Sequence, residues 1–264
     1  MARSRAAYTP TNVHITHSLH HDWTGWPLED ATFPSTAPAA IRAAAPLWAG
    51  DGLRLTNSKP TPGTIQLCFA VGPEASPMFL ASRVKGRLQH AFREGGTPVR
   101  FSRKVAVRTL GENTRQDVEG YVQKQVGKEG FIDPRYVARM KEYAVERHQT
   151  DLAQPVTSHS GRYWYNLHVV LVVGGRRRIA DYTVLAAIRN GVCEAADASG
   201  YRLKSVSVMP DHVHVALGGK VDESPAAIAL GLMNHLARRL RLGRIWQNGC
   251  YVGTFSEYGL DAIR

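Results

Sequence analysis

GLRLTNSKPTPGTIQL (residues 52–67) and GYRLKSVSVMPDHVHV (residues 200–215) align without a gap at an offset of 148, that is, 200 minus 52. Gly, Arg, Leu and a late Pro coincide, and both stretches end in alternating apolar residues. The same offset sets SRVKGRLQHAF (82–92) against LGLMNHLARRL (230–240), two amphipathic basic helices with Leu88 opposite Leu236. VAVRTLGENTRQDVE (105–119) faces CYVGTFSEYGLDAIR (250–264) at an offset of 145. Upstream, Asn12-Val-His-Ile15 is set against Asn166-Leu-His-Val169, each opening a strand-like run. Four pairings in the same order describe an internal repeat, and a repeat decides the architecture before any single element does.

Each copy reads as strand, helix, strand, returning strand, helix, strand and a final helix. YNLHVVLVV (165–173) is an apolar strand ending at Gly-Gly, and VLAAIRNGVCEAADASG (184–200) has helical spacing with a closing Gly. LKSVSVMP and HVHVAL alternate with period two, as an antiparallel pair does. PAAIALGLMNHLARRLRL (225–242) opens with Pro, which the first helical turn tolerates. The expected fold class is therefore α+β, with two ferredoxin-like (split βαβ, RRM-like) units in tandem forming a pseudo-dimer within one monomeric chain. The expected boundaries are 1–126 for the first repeat, 127–160 for a connector with a charged helix-like stretch (PRYVARMKEYAVERH), and 161–264 for the second repeat.

Composition narrows the partner. Lys and Arg number 33 against 22 Asp and Glu, a net charge of +11 over 264 residues, which favours a polyanion. Three scattered cysteines, with no CxxC pair, argue against a zinc site or disulfide framework and for a reducing compartment. No apolar run approaches the roughly 20 residues of a membrane span, and MARSRAAYTPTN lacks the apolar stretch of a signal peptide. A cytoplasmic, nucleoid-associated protein without membrane contact is expected.

His212 and His214 carry the chemistry. Two residues apart on a strand, they point to one face and can share a divalent metal. Taken alone, an HxH pair describes two surface histidines equally well. The surrounding VSVMPDHVHVAL (206–217) resembles the HUH motif (His, hydrophobic, His) of TnpA-type single-tyrosine insertion-sequence transposases. That family's second signature is a tyrosine on a late helix with a glutamine four residues on. ENTRQDVEGYVQKQ (112–125) matches it through Tyr121 and Gln125, which helical spacing puts on one face.

The two signatures fall in different copies. Thr64 and Gln66 stand at the first copy's HUH positions, and the second copy's tyrosine position lies past Arg264. The resemblance implies a helix crossing from the first copy to complete the second copy's site. There His212, His214 and Gln125 hold Mg²⁺ or Mn²⁺, and Tyr121 attacks single-stranded or hairpin DNA to leave a 5′-phosphotyrosine and a free 3′-OH. The implied activity is that of a site-specific single-strand DNA endonuclease and strand transferase. The alternative is a catalytically silent hairpin-binding derivative. Candidate DNA contacts are Arg176, Arg177 and Arg178 after the second copy's first strand. Arg83, Lys85 and Arg87, and Arg238, Arg239, Arg241 and Arg244, form basic helix faces that a merely solvated surface also explains. His14, His17, His20 and His21 read as a weak metal tract. The five tryptophans read as core or interface residues ahead of base-stacking ones.

Overall fold

A computed structural model of the chain describes residues 6–128 and 134–260. In chain order the strands and helices are β1 (His14–Ser18), β2 (His20–Pro27), α1 (Ala37–Gly50), β3 (Leu53–Pro60), β4 (Ile65–Val71), α2 (Pro77–Glu94), β5 (Phe101–Leu110) and α3 (Arg115–Lys128). There follow α4 (Pro134–Lys141), β6 (Ala144–Glu146), β7 (Val156–Thr157), β8 (Gly161–Trp164), β9 (Asn166–Val173), α5 (Tyr182–Ser199), β10 (Arg202–Val208), β11 (His212–Gly218), α6 (Pro225–Leu240) and β12 (Trp246–Thr254). They build two six-stranded sheets, β1-β12-β9-β11-β10-β6 and β3-β4-β2-β5-β8-β7. Among the described residues no helix is long and apolar enough to cross a membrane.

Each sheet contains a β-α-β-β-α-β run whose four strands lie in the spatial order second, third, first, fourth. The registers agree in detail. A bulge interrupts β3–β4 between Leu55 and Asn57, and the corresponding bulge interrupts β10–β11 between Leu203 and Ser205, again 148 residues on. Local signals agree as well. Ser76 caps α2 by accepting from the Phe79 amide, with Pro77 behind it, and Ser224 caps α6 by accepting from Ala227 ahead of Pro225. Gly52 (φ 77°) and Gly200 (φ 72°) both close the first helix of their run in the left-handed conformation that favours glycine.

One pairing differs from the sequence expectation. β2 opens with His20 opposite Ala70, and β9 opens with Asn166 opposite Gly218, so His20 and Asn166 correspond, 146 residues apart. Asn12 does not. Its segment leads into β1, which crosses to the other sheet and runs parallel to β12. A single extended run thus changes sheets at buried Leu19, and β8–β9 changes sheets the opposite way at buried Tyr165, with β8 parallel to β5. The shared Asn-x-His letters of the two segments hid this shift. The connector also departs from expectation, because only residues 134–141 of its charged stretch are helical while β6 and β7 extend one sheet each.

The alternation of each strand sends Trp23, Ile65, Leu67, Phe69, Leu167, Val169, Val213 and Val215 into one continuous core against α1, α2, α5 and α6. His21 also lies inside the protein, fully buried, with no hydrogen-bond partner on either ring nitrogen. Burial lowers its pKa from 6.5 to about 3, while burial raises that of neighbouring Asp22 from 3.8 to about 6. The signs are opposite. The unfolded chain binds His21's proton first, so that stability is present above pH 6.5 and drains away as pH falls towards 3. The folded chain binds Asp22's proton first, so that stability is lost as pH rises from 3.8 to 6. In urea titrations across pH, His21→Leu should flatten the acid-side loss, and Asp22→Asn should steepen it by removing the opposing slope.

Candidate active site

The turn Met209-Pro210-Asp211 delivers the chain into β11, where the Met209 amide donates to His212 O at 2.8 Å. Val213, Val215 and Leu217 face the helices, leaving His212, His214 and Ala216 on the opposite face of the sheet. The two imidazoles stand edge to face, with ring centroids 4.9 Å apart. His212 Nδ1 lies 2.7 Å from Asp211 Oδ1, which directs its Nε2 outward. His214 is buried, and its Nδ1 lies 3.0 Å from Nε2 of His168 on β9. Burial lowers the His168 pKa to about 4, so that ring is a neutral partner. The bond at Nδ1 holds the His214 ring in place from the side of β9, as a metal-binding imidazole is commonly held through its other nitrogen.

The third element comes from the other half of the chain. Thr114 and Asp117 cap α3 reciprocally: Asp117 Oδ2 accepts from the Thr114 amide at 3.1 Å, and Thr114 Oγ1 from the Asp117 amide at 3.2 Å. The Arg115 amide donates to Ser256 O at 2.6 Å, tying the helix start to the strand end beyond β12. Val118 and Val122 then bury themselves among Leu152, Ala216 and Phe255, which lays α3 across β10 and β11. Helical spacing carries Tyr121 to the histidines: its ring centroid is 5.4 Å from that of His214 and 6.2 Å from that of His168. Tyr121 keeps 39% of its surface exposed, whereas Gln125, one turn on, is buried with its side-chain nitrogen lacking a hydrogen-bond partner.

Among the described residues no three His, Cys, Asp or Glu side chains form a metal cluster, so a cation here depends on a donor outside those four types. Gln125 fits that need. Its side-chain nitrogen is buried without a hydrogen-bond partner, and its amide oxygen is a hard donor. Arg176 stands at the rim, 3.7 Å from Asp211 Oδ2, at a backbone kink where Gly175 and Arg176 both have positive φ. Arg177 and Arg178 follow it on the exposed surface.

The other nominated cations lie elsewhere. Arg83, Lys85 and Arg87 are on α2, and Arg238 and Arg239 on α6, the helical side of the sheets. Arg87 is held by Asp51 through two bonds of 3.0 and 3.2 Å, Arg239 by Glu194 at 3.0 Å, and Lys85 donates to Ser102 O at 2.7 Å. Thr64 and Gln66 occupy the positions of His212 and His214 in the other sheet and bring no imidazole. Trp23, Trp48 and Trp246 are core residues. His168 and Asp211 were legible only in part. Strand alternation in YNLHVVLVV puts His168 on the polar face, but nothing in the sequence says that this face meets His214.

Comparison with known proteins bears on the second half of the chain. The family model "Transposase IS200 like" matches residues 162–264. The match covers less than half of the chain and confines the likeness to IS200-like transposases to its second half. The matched span holds His168, His212 and His214 and leaves out Tyr121 and Gln125. No curated protein matches the chain. A structure described as a transposase from Deinococcus radiodurans R1 is 23% identical over 35% of this chain and 79% of its own, with a TM-score of 0.33. The regulatory subunit of aspartate kinase from Thermus thermophilus overlaps 82% of this chain and 92% of its own at 11% identity and a TM-score of 0.21. A VAO-type flavoprotein from Myceliophthora thermophila C1 overlaps 89% and 39% at 11% identity and 0.25. Overlaps this loose add nothing to the site.

The seat of α3 on β10 and β11 is testable without substrate. Val122→Ala should destabilise the protein by about 1–3 kcal/mol, because Val122 is fully buried beneath the helix. Hydrogen exchange should then rise in residues 115–125 before it rises in β9 or β11.

Proposed function

We propose that this chain is a metal-dependent, site-specific single-stranded DNA endonuclease and strand transferase, built as two ferredoxin-like units in the manner of a fused dimer and holding one composite active site. The observation that carries the reading is the approach of Tyr121, from the first unit, to within 5.4 Å of the His214 ring in the second unit. Shared strand order, shared bulges and reciprocal strand exchange support the two-unit origin.

His212, His214 and Gln125 would hold Mg²⁺ or Mn²⁺. A divalent cation there would polarise the scissile phosphate and orient it as a Lewis acid. The protein's own residues do the rest. Asp211 and His168 fix the two imidazoles through the ring nitrogens that do not face the site. Arg176 supplies a positive charge at the rim for a phosphate oxygen. The Tyr121 oxygen attacks phosphorus and forms a P–O bond, its proton passing to solvent across the exposed side of the ring. The P–O3′ bond breaks and the 3′ oxygen takes up a proton, leaving a 5′-phosphotyrosine and a free 3′-OH. Reversal of these steps by another 3′-OH joins strands.

The test is a covalent-adduct gel with labelled single-stranded DNA and Mn²⁺. Wild type should give a shifted, denaturation-resistant band that Tyr121→Phe abolishes and Tyr258→Phe retains. His212→Ala should also abolish it while leaving DNA binding nearly intact. An adduct that survives in Tyr121→Phe sinks the shared-site reading, because the nucleophile is then another residue. A wild-type protein that binds the strand and never forms adduct is the silent derivative instead.

A further inference from the structure

The rung through the metal-type site runs across one sheet as Ser207, His214, Val170, Tyr251 and Thr16, each directly opposite the next. The corresponding rung of the other sheet is Lys59, Gln66, Thr24, Ala106 and Arg162, ending on Thr157 of β7. Residues directly opposite on neighbouring strands share a face. Where one unit has an imidazole flanked by a serine and a threonine, the other has a neutral amide flanked by two cations.

Lys59 and Arg162 are exposed, as is Lys104, and among the described residues none of the three pairs with a carboxylate. That separates them from Arg87, Arg147 and Arg239, whose charges are answered by acidic partners. Across the rung from Lys59, a groove of about 670 Å³ opens along the sheet, lined by half-buried Trp26 together with Lys104, Ala106, His159 and Arg162. Glu29 is the one acidic residue on its rim. The described helices against this sheet, α1 and α2, lie on the opposite, Trp23 side. At the far end of the face Arg108 is clamped between the rings of Trp164 and Tyr258, 4.4 and 4.5 Å away, leaving Trp26 as the aromatic in the groove.

Resting on the function proposed above, we infer that this face is a second, non-cleaving binding site for single-stranded DNA. Trp26 stacks a base, and Lys59, Lys104 and Arg162 take successive phosphates. Six strands at about 4.8 Å spacing make the face roughly 24 Å wide, room for several nucleotides. A partly exposed aromatic with unpaired cations along a track is the chemistry that holds a single strand without reading its sequence. A duplex cannot offer Trp26 an unstacked base. The strand that is cut in one unit is thereby gripped by the other.

The experiment measures anisotropy of fluorescent, unstructured oligodeoxythymidine on the full chain over a salt series without metal. The Lys59→Gln/Arg162→Gln protein should bind more weakly. Its plot of log affinity against log salt should be shallower by about 1.4, since each single-strand phosphate contributes about 0.7. Trp26→Ala alone should weaken binding roughly tenfold, the loss of one stacked base, with the salt slope unchanged. With Mn²⁺ present, adduct yield in both variants should fall at limiting strand and recover at saturating strand. Unchanged affinity in both variants overturns the inference, as does an equal loss for duplex of the same length. The binding series contains no metal and reads affinity without any adduct. Absence of adduct in wild type therefore removes the catalytic reading and leaves the binding comparison to stand or fall separately.

Discussion

Two buried threonines hold the halves of the protein in register. Thr109 Oγ1 donates to Phe255 O at 2.9 Å and accepts from the Asn166 amide at 3.4 Å, while Thr254 Oγ1 donates to Leu110 O at 2.6 Å and accepts from the His20 amide at 2.9 Å. Each bond of one set has its counterpart in the other, the reciprocity of a two-fold interface. A hydroxyl is the smallest group that can donate and accept at once, and both sit where strands change sheets and backbone groups leave their ladders. If these bonds loosened, β1 and β8 would lose their alignment. The end of β12 would no longer present Ser256 to the first turn of α3, and the Tyr121 ring would lose its position over the histidines.

Much of this was legible in the chain. The offset of 148 set the corresponding strands and helices against one another, with Gly52 opposite Gly200, whereas the matching bulges and Ser-Pro caps emerged only in the structure. Period-two alternation put His212 and His214 on one strand face and helical spacing put Tyr121 and Gln125 on one helix face, but the resemblance to the HUH transposases is what singled the four out. The strand exchange was not legible. β1 pairs with β12 across more than two hundred residues, and nothing local to HITHS marks it as an edge strand of a distant sheet. His168 escaped for a similar reason, since its partner is chosen by sheet order rather than by neighbours in the chain. On the basic helices, charge count did not reveal pairing, for Arg87 and Arg239 are answered by Asp51 and Glu194.

A symmetric dimer places every residue in both halves at once. Here each position occurs once, so the imidazole site and the cationic face need not compromise with each other. Gln66 lies where His214 lies in the other sheet, and Lys59 where Ser207 lies. Neither replacement disturbs the core, because both are on the side of the sheet turned away from it.

The crossing strands also order events in time. β1 ends at Ser18, yet the strand it lies against ends at Thr254, more than two hundred residues later. At roughly 5–20 residues per second, its partner is missing for about ten to fifty seconds of synthesis. Until then HITHS is an unpaired edge, and its alternation of histidine and threonine with a single isoleucine makes it a poor seed for self-association. A polar, histidine-rich strand made so long before its partner is what a segment obliged to wait in water should look like.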